Sequence, residues 1–398
     1  AIRVSSLFRR LLADGWVDTL TTRFPNLQVI GPSRDNARLE SSKYYAKERM
    51  KHYKIPTADY RHFTKSETEN AHKYLDEKYS DTSTCSLPVL KADGLAGGKG
   101  VVLPDTLAEA HQALDTLLTK YDTVLVEQRL QGGEVSVFAL CDGNHAVFMP
   151  PAGDYKRRYD NDRGLNTGGM GAIAPYYLLS EHTLQTHVYP CIRRLVKGEK
   201  YTGFLYIGLM VSTPSKDSLT APEWNVLEFN CRLGDPETQA VLSLYRNPTG
   251  IPPPVTSPPI PESISIPTTI PSHPTSPQSH TTPTSPSPPV SPTHRNPIPH
   301  TNTTPPSFYY LLLQSALGRL SYCPTPQWYK DRVAVNVVIT NNSYPISKTS
   351  LTPITFPPLP DNLQMFSANL SLSSPPSSAS FTSAPLAINS STISLCPQ

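Results

Sequence analysis

The chain has 398 residues, with 35 Lys+Arg against 32 Asp+Glu for a formal net charge of +3, and it carries 43 prolines and six cysteines. So even a balance, with no Lys/Arg block, excludes an electrostatic nucleic-acid binder, and no apolar run reaches the ~18 residues of a membrane span. Cys85, Cys141, Cys191, Cys231, Cys323 and Cys396 show neither CxxC nor zinc spacing, which points to reduced thiols in a reducing, cytoplasmic compartment.

In chain order, Asp14 to Leu20 reads as the end of a helix, and "LQVIGPS" (27–33) as a short strand entering a turn. Residues 34–54 predict one helix, followed by an extended "IPTADY". A polar helix over 66–79 leads to a strand at 87–92, a glycine loop and a second strand, "VVLP". A helix fits 106–120 and a strand fits 123–128. "EVSVFALCDGNHAVFMP" is a hairpin about Asp142-Gly143. A helix at 180–197 precedes the strands "GFLYIGLMVST" and "WNVLEFNCR", and a helix at 235–246 closes the block. Hairpins mixed with helices indicate an α+β fold with an antiparallel sheet around the glycine loop.

Proline then divides the chain. Residues 1–247 hold 12 prolines, whereas the 59 residues from Pro248 to Pro306 hold 20 and only two charged side chains, Glu262 and Arg295. Such a stretch buries too little apolar surface to offset its ordering entropy and reads as disordered. From Thr349 to Gln398 the same pattern returns with one charge, Asp361.

Four stretches carry chemistry. In "PVLKADGLAGGKGVVLP" (88–104), Gly94, Gly97, Gly98 and Gly100 free backbone N–H groups to approach phosphate, and Lys91 and Lys99 supply positive charge. This is not a Walker A loop, because Lys99 is followed by Gly100 and a strand rather than a helix. The bland reading is a glycine-rich surface hairpin.

In "LEFNCRLGDPE" (227–237), Glu228 and Asn230 are two apart on a strand and share a face, which suits Mg²⁺ beside nucleotide phosphates. Arg232 continues that face and could hold a phosphoryl group bidentately. Here the bland reading is a solvated strand face. In "DYKRRYDNDRGLNTGGMGA" (154–172), Asn166, Thr167 and the amides of Gly168 to Gly171 could form an anion nest, or simply a solvated loop. In "VEQRLQGGEVS" (126–136), Glu127 to Leu130 could meet a purine edge and Glu134 a ribose.

Taken in order, K-A-D-G-L-A-x-G-K-G-V, V-E-x-x-L-x-G-x-E-x-S, D-x-K-R…N-T-G-G-M-G-A, G-F-L-Y-x-G-L-M and E-F-N-C-R-x-G-D-P-E-T-Q resemble the phosphoribosylamine–glycine ligases of the ATP-grasp superfamily, over residues 7–247. The resemblance implies an ATP-grasp fold, two α/β subdomains around a nucleotide cleft. It implies a reaction in which ATP phosphorylates glycine and 5-phosphoribosylamine attacks the acyl phosphate, giving glycinamide ribonucleotide, ADP and phosphate. It also implies ATP and Mg²⁺ (or Mn²⁺) as cofactors, small-molecule substrates with no nucleic acid or membrane partner, and further purine-pathway domains in some intact proteins.

By position, Lys43 and Lys91 match the family's nucleotide lysines, and Glu127 and Glu134 its adenosine contacts. Asp154, Lys156, Arg232 and Asp235 match its substrate and phosphate region. Ser41, Tyr155 and Leu233 depart from the usual Gly, His and Phe. The implied domains are the end of a truncated N-terminal Rossmann-like domain (1–33), the ATP-grasp domain (34–247), a disordered insertion (248–306), a remnant of the C-terminal domain (307–345) and a disordered tail (346–398). Two rival readings are another ATP-grasp carboxylate–amine ligase, and an inactive fragment or non-catalytic ATP-binding protein whose Pro-rich segments dock into aromatic grooves.

Overall fold

The computed structural model describes residues 4–80, 87–96, 100–212, 223–246, 305–340 and 344, together with the backbone of five strands between 351 and 397. Helices α1 (Val4–Ala13) and α2 (Trp16–Arg23) meet at Gly15, whose φ of +82° suits glycine. The strand expected at 27–33 is not formed, and that stretch is irregular. It packs on Thr202 and Gly203 instead: the Gly31 carbonyl accepts a 2.6 Å bond from Thr202 Oγ1. A Cβ on Gly203 (φ +95°) would stand 2.7 Å from Gly31 Cα.

The single helix expected over 34–54 is two, α3 (Arg38–Ser41) and α4 (Lys43–His52). Ser42 between them is extended (φ −134°, ψ 111°). Its hydroxyl accepts from Tyr45 N at 3.1 Å, capping α4, and donates to Asp93 Oδ2 at 3.0 Å. The break therefore exchanges helical bonds for a cap and a tether to the glycine loop.

The next elements form one subdomain. Strand β1 (Tyr60–Thr64), unforeseen behind Pro56, is followed by α5 (Thr68–Ser80), β2 (Pro88–Ala92), β3 (Val101–Val102), α6 (Leu107–Lys120) and β4 (Thr123–Gln128). The antiparallel sheet runs β1-β4-β2-β3. Helices α5 and α6 bury Ala71, Leu75, Ala110 and Leu114 against its Leu90, Val124 and Val126. A reciprocal cap between Thr106 and Glu109 starts α6.

A second subdomain is built on β5 (Gly133–Asp142) and β6 (Ala146–Phe148), the expected hairpin about Gly143. Small strands follow: β7 (Gly153–Asp154), β8 (Arg157–Tyr159), β9 (Arg163–Asn166) and β10 (Gly171–Ala174). Helix α7 (Glu181–Thr183) passes through a π-turn into α8 (Tyr189–Glu199), and then come β11 (Thr202–Val211), β12 (Trp224–Asn230) and α9 (Glu237–Ser243). The central sheet is β12-β11-β5-β6. One of its faces lies on α4 and α8 through Met50, Ile192, Leu195 and Val196, all 1 % exposed or less. Each such side chain contributes about 1.5–3 kcal/mol by leaving water.

The segment after the proline-rich stretch packs on the other face. Leu311 of α10 (Phe308–Ala316), Leu320 and Ala334 join one cluster with Phe138, Tyr206 and Val241. Strand β13 (Ala334–Ile339) pairs with β10, which pairs with β7. The insertion expected at 248–306 lies, apart from Pro305 and Pro306, outside the described residues. In the tail expected to be disordered (346–398), the described residues are the backbone strands β14 (Leu351–Ile354), β15 (Leu363–Ser367), β16 (Leu370–Leu372), β17 (Leu386–Asn389) and β18 (Ile393–Pro397), and β18 lines up beside β13.

Candidate active site

The cleft between the two subdomains collects most of the residues singled out in the sequence. From the β2 side, Lys91 reaches Glu127 Oε2 on β4 at 2.9 Å and the Leu227 carbonyl on β12 at 3.5 Å, so one ammonium spans both sheets. From the start of α4, Lys43 donates to the Ala92 and Gly94 carbonyls at 2.9 and 3.2 Å. Asp93 accepts from Ser42 and from Tyr44 N, tying the root of the glycine loop to α4. Burial pushes the Lys43 pKa down, against the pull of Glu228. Gly94 and Gly100 flank the loop as expected, Gly94 with φ +122°. Gly97, Gly98 and Lys99 lie outside the described residues.

Glu228 and Asn230 share a face of β12, as their spacing required. The Asn230 amide donates to Glu228 Oε1 at 3.1 Å. Glu228 is an exposed side chain on the cleft wall, and Lys156, the Asn230 amide, Lys91 and Lys43 together hold its carboxyl below the usual range, so it is ionised. Four predicted cationic and polar groups thus converge on one carboxylate. Arg232 is not a free fork. Its Nε donates to Glu40 Oε1 at 3.2 Å, Nη1 to the Leu233 carbonyl at 3.0 Å and Nη2 to Asn230 Oδ1 at 2.9 Å. As arranged, it aims Asn230.

Lys156 forms an ion pair with Glu134 at the cleft mouth. Burial works against the Lys156 charge, yet Glu134 and Glu228 raise its pKa above the ordinary lysine value. Asp154 on β7 sits deeper. Burial first, then the neighbouring Glu237 carboxylate, push its pKa up, and its Oδ1 is buried without a hydrogen-bond partner. Asp235 lies just before α9, where its Oδ1 accepts from Gln239 at 2.9 Å.

The anion nest at 168–171 is not formed. Gly168 N donates to the Tyr344 hydroxyl, Gly169 N to Thr167 Oγ1 and Met170 N to the Tyr155 carbonyl, so these amides hold the loop together. A Cβ on Gly169 would stand 2.3 Å from Pro236 Cδ and 3.1 Å from Asp154 Oδ1, so glycine is what lets the loop pack against Pro236 beside that carboxylate.

Several residues escaped the motif reading. Lys47, one turn after Lys43, is buried with its ammonium 3.0 Å from Glu127 Oε2, 2.8 Å from Thr57 Oγ1 and 3.1 Å from the Ala58 carbonyl. The i,i+4 spacing of the two lysines was the available signal. Glu127 consequently faces two lysines, and its Oε1 is a buried acceptor without a partner. Glu40 accepts from Cys231 N at 2.8 Å and pairs with Arg232, and burial raises its pKa. Glu237, 2 % exposed, lies near Ser136 and Asp154. No sequence signal separated Glu40 or Glu237 from ordinary surface carboxylates.

Two subdomains, each built on a four-stranded antiparallel sheet, with Lys91 of one facing a carboxylate–amide strand of the other, define an ATP-grasp fold. Residues 41–238 match the family "Phosphoribosylglycinamide synthetase, ATP-grasp (A) domain". A phosphoribosylamine–glycine ligase of Neisseria meningitidis serogroup A is 41 % identical over 243 residues, which are 58 % of this chain and 53 % of the relative. A trifunctional purine biosynthetic protein adenosine-3 of Chironomus tentans is 41 % identical over 244 residues, 58 % of this chain and 16 % of that protein. The solved phosphoribosylamine–glycine ligase of Thermotoga maritima aligns with a TM-score of 0.59 at 26 % identity, covering 92 % of this chain and 73 % of that one. The chain spans about half the length of the single-function ligases it matches.

Proposed function

We propose that this chain contains the ATP-binding and carboxylate-activating part of a phosphoribosylamine–glycine ligase. The observation that carries the reading is the convergence of Lys43, Lys91 and Lys156 on the ionised Glu228 across the cleft, inside the segment that matches the family. In this reading Lys43 and Lys91 meet the phosphates of ATP, and the glycine hairpin covers them. The buried, unpartnered Oε1 of Glu127 and the backbone after it take the purine edge. Glu134 takes the ribose by exchanging its bond to Lys156.

Glu228 and Asn230 fit Mg²⁺ or Mn²⁺: an ionised carboxylate and an amide oxygen are hard donors, and such ions keep several waters and phosphate oxygens. When bound, the ion would supply neutralisation of phosphoryl charge. The Asn230 NH2 faces Glu228 and its oxygen accepts from Arg232, so the amide turns over to offer that oxygen beside Glu228. Lys156, freed from Glu134, moves to the glycine carboxylate and the phosphoryl group it accepts. Asp154, with an unpartnered oxygen, receives the amine of the nucleophile and a proton from it. Water exclusion by the closed hairpin protects the acyl phosphate, and phosphoribosylamine then displaces phosphate to leave the amide.

Phosphate release from Mg-ATP tests this. Release that needs both glycine and freshly generated 5-phosphoribosylamine, and that vanishes in Lys91→Ala, is expected. Release supported equally by other carboxylates would shift the reading to another carboxylate–amine ligase. No release, with ATP still bound, would reduce the chain to a binding module.

A further inference from the structure

Away from the cleft, on the outer side of the first subdomain, four titratable side chains form a crossed arrangement between α5 and α6. The Nδ1 atoms of His72 and His111 face each other in direct contact. The far nitrogen of each ring is held by a carboxylate from the opposite helix: His72 Nε2 by Asp115 Oδ1 at 2.9 Å and His111 Nε2 by Asp76 Oδ1 at 3.0 Å. The rings meet edge to edge, 4.6 Å apart between centroids and inclined by 34°. Both imidazoles are 29 % exposed, within reach of solvent ions. Ala71, Leu75, Ala110 and Leu114 on the same helices are fully buried and fix the helix pair.

A carboxylate accepts, so each Nε2 carries its hydrogen and donates it. That leaves one lone pair on each Nδ1, and the two lone pairs point at each other. Two neutral imidazoles in this pose repel. The contact is favourable only with a cation between the nitrogens, either a shared proton or a metal ion. Imidazoles that bind a metal through one nitrogen characteristically donate the other N–H to a carboxylate, which sets the ring and strengthens the ligand. Both rings here meet that condition, and the pairing is reciprocal between two elements.

We propose that His72 and His111 form a binding site for a divalent transition-metal ion of the zinc class. The two Nδ1 atoms are the protein ligands, Asp76 and Asp115 are the outer supports, and water completes the shell. Among the described residues no group of three or more His, Cys, Asp or Glu is placed to hold a metal, so this is a two-ligand site open to solvent. Two imidazole nitrogens on one tetrahedral Zn²⁺ stand roughly 3.3 Å apart, given Zn–N distances of about 2.0–2.1 Å. The partly exposed rings reach that spacing by small side-chain rotations. The bound ion would cross-link the two helices that support Lys91 and Glu127 from behind.

The test is a calorimetric titration of Zn²⁺ into the metal-free full chain. Binding of one equivalent is expected, and it is expected to disappear in His72→Gln/His111→Gln. Asp76→Asn/Asp115→Asn is expected to weaken it about 10–100-fold. Far-UV circular dichroism without metal checks that the variants fold, and single His111→Gln serves if the double variant does not. Zn²⁺ should raise the melting temperature of the parent chain and not of the histidine variants. Unchanged stoichiometry and affinity in a folded histidine variant, or no binding by the parent chain, would overturn the proposal.

Discussion

The ammonium of Lys47 stands 3.0 Å from Oε2 of Glu127, and each side chain is only 2 % exposed. Lys91 approaches the same oxygen from the cleft at 2.9 Å. One buried carboxylate therefore joins a lysine that faces the cleft to one that never meets solvent.

Lys47→Met removes the inner partner and leaves Glu127 buried with Lys91 alone. Breaking a buried pair costs about 3–5 kcal/mol, and chemical denaturation should read that loss at pH 7. A double variant Lys47→Met/Glu127→Gln should recover part of it. Burial lowers the Lys47 pKa to about 8. Below that pH the folded state carries an unfavourable charge, and the penalty is relieved as pH rises from about 8 toward the unfolded value of 10.5. The stability difference between parent and Lys47→Met should therefore grow across that window.

Ser42→Ala removes a helix cap and the tether to Asp93. A loss of about 1 kcal/mol is expected from the cap. Because Lys43 follows directly and binds the glycine loop, the apparent affinity for ATP should fall further than stability does. Equilibrium binding of a fluorescent ATP analogue, compared with a melt, separates the two.

Asp154 has an unpartnered buried oxygen and a pKa pushed upward by burial and by Glu237. A raised carboxyl means the unfolded chain binds fewer protons, so this group erodes stability as pH climbs above the ordinary aspartate range. Asp154→Asn should raise stability at pH 7 by on the order of 1 kcal/mol, vanishing near pH 3, while lowering ligase turnover. A variant that is less stable at pH 7 would contradict this account.

Glu228→Gln keeps the shape of the β12 face and removes its charge. Mn²⁺ bound in the presence of ATP, followed by electron paramagnetic resonance, should weaken at least tenfold. Nucleotide binding without metal should change little or improve, since three lysines near it lose only one carboxylate.

Much of the cleft was legible from the sequence because its chemistry is local. Glu228 and Asn230 share a strand face by parity, and the glycine hairpin shows itself by composition. What stayed hidden depends on distant partners. The helix break at Ser42 is invisible to periodicity, since the serine is drawn out of the helix by Asp93, 51 residues away. The anion nest failed because Tyr344, 176 residues downstream, occupies the Gly168 amide. Arg232 looked like a phosphate clamp until Glu40 and Asn230 filled its fork. Strand β1 was masked by the proline before it, although its pairing with β4 is regular along all five residues.

Strand β13 also binds the site from outside the matched segment. Asn336, 1 % exposed, donates to the Pro236 carbonyl at 2.8 Å, while Arg246 N and Tyr329 N exchange bonds with Gln327 and Leu244. The chain before the proline-rich stretch and the chain after it are thus laced by hydrogen bonds and a shared apolar cluster. A nick between them would leave a stump with an open edge at β10 and a mate shaped to cover it. Expressed from separate messages, the halves should find each other and co-purify, making the molecule a natural split reporter whose reassembly rebuilds the floor beneath Asp235 and Glu237.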